Sequence, residues 1–127
     1  MGNLLAESTI KNYLKLFQTN GDPDVEKTAT FLDLSKKELA ECFGLTSEQI
    51  RPERMSHLAK SRLGELAGTL EFVADIFHGD KDQTLFWIKT PNPHFGGLSP
   101  RELIVRGRYR KVQIFVQSAI SRQRKIA

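Results

Sequence analysis

A single cysteine, Cys42, in 127 residues leaves no disulfide framework within the chain and fits a reducing cytoplasm. No stretch approaches the roughly 20 consecutive apolar residues that a membrane-spanning helix needs. The start carries no basic segment followed by an apolar block and a small-residue cleavage site, so export is not expected. Met1-Gly2 does not make a myristoylation signal either, because Ala6 stands where that signal wants Ser or Thr. The three histidines, His57, His78 and His94, have no metal-ligand spacing, and neither a cysteine pair nor an HExxH helix completes a set. No metal or other cofactor is expected. Enzyme chemistry lacks its usual parts too: there is no legible nucleophile with its base, no paired carboxylate site and no phosphate-cradling loop. Gly96-Gly97 has neither the preceding strand of a dinucleotide turn nor the lysine of a P-loop. A binding protein rather than an enzyme is the expectation.

What the chain does have is uneven charge. The net is +4, but from Arg101 onward Arg101, Arg106, Arg108, Arg110, Lys111, Arg122, Arg124 and Lys125 face only Glu102, a local net of +7 that leaves the preceding hundred residues near −3. Such an end suits docking to phosphate or to an acidic pocket, and a solvated helix face is the alternative.

Hydrophobic content of 39% supports one folding unit, and the apolar periodicity is helical throughout. Ile10, Tyr13, Leu14 and Phe17 fall on one stripe and predict a first helix ending near Asn20-Gly21. Asp22-Pro23 reads as an N-cap with proline at the first helical position, opening a short helix with Val25, Ala29 and Leu32. Ser35-Lys36-Lys37-Glu38 is a capping box, and Gly44 stands where a left-handed helix end is needed. Thr46-Ser47-Glu48-Gln49 offers a second box, so helix, glycine turn and helix give a helix-turn-helix pattern. Lys36, Thr46, Ser47, Gln49 and Arg51 are its candidate DNA contacts, although Pro52 limits the would-be recognition helix to about one turn.

The longest periodic stretch, Ser56 to Phe77, carries Leu63, Leu66, Leu70, Val73 and Phe77 and predicts the central core helix. Gly64 and Gly68 on it suggest close approach of another backbone, within the chain or across a dimer, and Gly79 ends it. A short helix over Asp82 to Lys89 stops at Thr90-Pro91-Asn92-Pro93. Ser99-Pro100-Arg101-Glu102 combines an N-cap, a proline at the first position and a glutamate at the third. That helix breaks at Gly107, and a last one turns Val112, Phe115, Val116, Ala119 and Ile120 inward. No strand pattern competes, so the fold class is all-α.

The run from Trp87 to Ile104, reading Trp-Ile-Lys-Thr-Pro-Asn-Pro-His-Phe-Gly-Gly-Leu-Ser-Pro-Arg-Glu-Leu-Ile, followed by Gly107 and Val112, resembles the C-terminal domain of the Xre/MbcA/ParS antitoxin family. Upstream, Leu34 to Ala40 with Gly44, Arg54, Arg62 and Leu63 is similar to the family's Xre-like region. The resemblance implies two parts, a helical region with a degenerate helix-turn-helix over 1–78 and a small toxin-binding domain over 79–127. It also implies a cytoplasmic, usually dimeric antitoxin that inhibits a RES-domain toxin attacking NAD, and possible binding of its own operator DNA. Trp87, Pro91, Asn92, Gly96, Gly97, Pro100, Leu103 and Gly107 carry over as motif positions that shape the domain, with Trp87 expected in the core. Toxin contact is assigned to Arg106, Arg108, Arg110, Arg122, Arg124 and Lys125, where a basic end would obstruct a pocket that also contains acidic groups. A helix-turn-helix regulator acting mainly on DNA is the competing reading.

Overall fold

The helix starts are set by side-chain caps that occupy otherwise unpaired backbone N–H groups. The computed structural model describes residues 11–126, with side chains as far as residue 122, and among these it contains six α-helices, three 3-10 turns and no strand. Asp24 caps α1 (Val25–Leu32) by accepting from the Lys27 N–H at 2.9 Å. The Ser35–Glu38 box opens α2 (Lys36–Cys42): Glu38 N–H donates to Ser35 Oγ at 3.0 Å, and Ser35 N–H donates to Glu38 Oε1 at 2.9 Å. Gly44 follows in the left-handed region, φ 69°, as predicted. Ser56 caps the 20-residue α3 (His57–Ile76), and Asp80 caps α4 (Lys81–Lys89). Ser99, Pro100 and Glu102 start α5 (Pro100–Val105) with a complete capping box, and α6 (Tyr109–Ile126) ends the described chain.

Two expectations are corrected. The stripe at Tyr13, Leu14 and Phe17 does not form a helix within the described residues; Ile10 lies outside them. Lys15 adopts φ 59°, and the chain folds back so that Phe17 and Pro23 form an isolated antiparallel bridge. Asn12 clamps the loop by donating to Phe17 O at 2.7 Å and accepting from Phe17 N–H at 3.2 Å. The backbone N–H groups of Leu14 and Leu16 donate to the Glu71 carboxylate on α3 rather than into a helix. Leu14 and Leu16, two positions apart, both point inward, a pattern that a helical stripe does not produce. Second, the cap of α1 is Asp24 and not Asp22, because Pro23 is held in the bridge instead of the first helical turn. A Cβ added at Gly64 would meet nothing of the same chain within 4 Å, so no backbone of this chain packs against it, while Gly68 is buried.

The core gathers around α3. Leu63, Leu66, Leu70 and Val73 pack with Leu16, Leu32, Leu39 and Ile50 from the first half and with Ile88, Ile104, Val112 and Val116 from the second. Helix α6 lies along α3, and α5 is wedged among α2, α4 and α6. The turn at 78–79 falls between α3 and α4, with His78 at φ 56° and Gly79 at φ 84°, and the apolar cluster runs on both sides of it. No helix among the described residues is long and apolar enough to cross a membrane.

Candidate functional site

The motif between α4 and α5 is a loop organised by one residue. Asn92 donates its backbone N–H to Leu98 O at 3.0 Å, and its own carbonyl accepts from Phe95 N–H at 2.9 Å and Gly97 N–H at 3.1 Å. Its side-chain Oδ1 accepts from His94 N–H at 2.9 Å, capping a 3-10 turn over Pro93–Phe95. This closure requires left-handed backbone at Gly96, φ 66°, and Gly97, φ 86°. A Cβ at either glycine would meet nothing within 4 Å, so conformation and not space selects glycine there. Gly97→Ala is therefore expected to cost about 1 kcal/mol, read as a shift in the urea midpoint with an unchanged slope.

Aromatic side chains from three elements meet over this loop. Trp87 of α4 stacks on Phe115 of α6 with ring centroids 6.2 Å apart and planes at 21°. Phe95 meets both edge-on, at 6.3 Å from Trp87 and 5.2 Å from Phe115, and His94 lies 5.1 Å from Phe115. These separations suit favourable ring pairs. Trp87 is half-buried and packs against the core rather than inside it, which corrects the expectation. Phe115 is likewise only half-buried, whereas Val112, Val116 and Ile120 are buried as predicted. Phe86 stands 72% exposed and Ile114 61% exposed, each next in sequence to a member of the cluster. A signal for Phe86 existed: Leu85-Phe86-Trp87-Ile88 is four apolar residues in a row on a helix, and a 3.6-residue period cannot turn all four inward.

Arg101, counted in the sequence only as charge, is a structural clamp. Its Nε donates to Leu32 O at 2.7 Å and its Nη2 to Asp33 O at 2.9 Å, satisfying carbonyls at the end of α1. Arg62 does the same for α2 by donating to Phe43 O. Pro100 and Leu103 are buried, Pro91 is exposed, and Gly107 turns the corner from α5 to α6 at φ 80°.

Of the six basic residues assigned to toxin contact, the four with described side chains are spread between the α5–α6 corner and the far part of α6. Arg106 and Arg108 are exposed beside Gly107 at the α5–α6 corner. Arg110, in the next turn, has Nη2 3.5 Å from Glu65 Oε1, and its guanidinium lies 5.6 Å from the Tyr109 ring centroid. Tyr109 donates its hydroxyl to the same carboxylate oxygen at 2.7 Å; burial first, and then Glu65, push its phenol up to about 12. Arg122 is exposed twelve residues further along α6, about 18 Å away at helical rise. Arg124 and Lys125 follow on the same helix, with side chains outside the described ones.

Four of the five candidate DNA contacts have intramolecular partners. The predicted recognition helix is a four-residue 3-10 turn, Ser47–Ile50, followed by a second over Pro52–Arg54. Gln49 Oε1 accepts from Thr46 N–H at 3.0 Å, so the glutamine half of the second box is present, while Thr46 Oγ1 turns to the same oxygen at 3.3 Å. Arg51 pairs with Glu48 at 3.0 Å and Lys36 with Glu26 at 3.6 Å, both solvent-exposed pairs, and Ser47 is exposed.

No curated protein and no solved structure matches the chain. Residues 73–109, from the last turn of α3 through α4, the Asn92 loop and α5 to the first residue of α6, match the family described as the antitoxin Xre/MbcA/ParS C-terminal toxin-binding domain.

Proposed function

We propose that this chain is the antitoxin of a bacterial type II toxin–antitoxin system and that it neutralises a RES-domain, NAD-attacking toxin in the cytoplasm by contact, without chemistry of its own. The observation that carries the reading is the match of residues 73–109 to a toxin-binding domain. The rigid loop and surface aromatic cluster lie largely within that stretch and give it something to bind with. Division of labour at 78/79 belongs to the proposal: the first part supports and dimerises, and the second engages the toxin. Arg106, Arg108, Arg122, Arg124 and Lys125 then face acidic groups of the toxin, with Arg110 shared between partner and Glu65. Operator binding is a secondary role, because a single 3-10 turn is short for a base-reading element.

The test is co-expression with the adjacent open reading frame, followed by affinity purification at rising salt. A stoichiometric complex supports the reading. A chain that instead retains its operator fragment, with steep loss as salt rises and no bound protein, would favour the DNA regulator.

A further inference from the structure

Of the nine residues of α4 only Thr84 and Ile88 are buried. A helix this short is marginal by itself and depends on its packing. One flank has little of it among the described residues: Lys81, Leu85 and Lys89 face a groove of about 740 Å³ whose other walls are α1 and the loop that carries Tyr13. The chain enters α4 from α3 through two consecutive left-handed residues, His78 at φ 56° and Gly79 at φ 84°. Such backbone is costly at a residue with a Cβ, as His78 is, and persists where the surroundings hold it.

Tyr13, near the start of the described chain, is what holds it. Its hydroxyl donates to Asp75 Oδ1 at 2.9 Å, and its ring covers Gly79 so closely that a Cβ there would lie 2.6 Å from Cδ1 and 2.9 Å from Cε1. The loop that carries Tyr13 is itself fixed at two points. Leu14 and Leu16 donate to the Glu71 carboxylate, and Leu16 O accepts from Asp24 N–H at 2.8 Å at the start of α1. Tyr13 thus joins an anchored loop to the turn from which α4 departs.

We propose that Tyr13 is a latch on the α3–α4 turn, and that on its release α4 opens as a separate unit about Gly79 while α3 and α6 stay packed. Elements with few buried apolar contacts open at a free energy below that of global unfolding, and a partner can select such an open state. Opening uncovers Ile88, which is fully buried in the closed chain and lies inside residues 73–109. A residue far outside the matched stretch therefore governs exposure of a helix within it. The latch is a property of the chain alone and does not depend on the antitoxin reading.

Native-state hydrogen exchange on the full chain tests it. In the wild type the amides of Leu85 to Lys89 are expected to exchange faster than those of Leu66, Leu70, Val112 and Val116, which wait for global unfolding. Tyr13→Phe keeps the ring and removes the hydroxyl, and it should speed exchange in α4 about fivefold, the effect of one hydrogen bond, because the latch is already broken in the open state. A Tyr13 that only stabilised the whole fold would speed the α3 and α6 amides and leave α4 at its wild-type rate, and that result would overturn the proposal. Exchange of α4 only together with α3 and α6 in the wild type would overturn it as well. Gly79→Ala gives an independent check, since its added methyl must push the ring away. Its effect on α4 exchange should be smaller in a Tyr13→Ala background than alone, and equal effects in both backgrounds would show that the ring does not hold the turn.

Discussion

Glu71→Ala is expected to destabilise the fold by about 2–6 kcal/mol, because it strands the buried backbone N–H groups of Leu14 and Leu16 without an acceptor, each at a cost of about 1–3 kcal/mol. In the native chain Glu71 is 1% exposed, and its two oxygens take the Leu14 N–H at 3.0 and 3.1 Å and the Leu16 N–H at 3.1 Å. That carboxylate replaces the hydrogen bonds a first helix would have made for itself. Chemical denaturation measures the loss, and hydrogen exchange should show protection vanishing first at Leu14 and Leu16. Burial pushes the Glu71 carboxyl up, and the N–H bonds from Leu14 and Leu16 oppose it without cancelling it. A folded value above the unfolded one favours the fold at low pH, and that contribution is lost as pH rises through the raised value. The stability of wild type relative to Glu71→Gln should therefore increase as pH is lowered from 7 through the carboxylate range. Glu38 and Glu102 work in the opposite sense: the Ser35 and Ser99 backbone N–H groups hold their carboxyls low, so their stabilisation is lost as pH falls through the lowered values. A difference between wild type and Glu71→Gln that does not change with pH would contradict the burial of Glu71 as a carboxylate.

Arg101→Ala should cost about 2–3 kcal/mol, more than an ordinary surface arginine, because two charge-assisted bonds to the Leu32 and Asp33 carbonyls are lost together. Arg101→Lys should restore little, since one ammonium cannot reproduce the two diverging N–H donors. The clamp joins α5, inside the matched toxin-binding stretch, to the end of α1, far outside it. A further consequence is that a fragment starting at residue 73 would lack both the Leu32 carbonyl and the α3 leucines that complete the core. Equal stability of Arg101→Lys and wild type would show that charge alone, and not the fork, matters at this site.

Local chemistry made most of the helices legible. Capping boxes at Ser35 and Ser99, glycines at 44, 79 and 107 and the leucine spacing of α3 are signals confined to a few residues, and each has its counterpart in the structure. The first segment misled because its acceptor, Glu71, is 55 to 57 residues away in sequence. Asp22 and Asp24 offered two caps for one helix, and only the bridge between Phe17 and Pro23 chose between them. No backbone of the same chain approaches Gly64, so of the two contacts its place in the helix suggested, the internal one is absent. For the candidate site, the motif residues Asn92, Gly96 and Gly97 were legible as loop-shaping positions, and the structure supplies the hydrogen bonds that explain them. The aromatic cluster was not legible, because Trp87, Phe95 and Phe115 come together only when α4 and α6 are placed by the core. Nor could composition tell a clamping arginine such as Arg101 from exposed ones such as Arg106 and Arg108.

The most direct measurement of antitoxin function is growth and cellular NAD in cells expressing the adjacent open reading frame, with and without this chain. Loss of NAD and arrested growth in its absence, with both restored in its presence, is the expected result. NAD that stays depleted while the soluble chain accumulates alongside its neighbour's product would contradict the antitoxin function proposed for it.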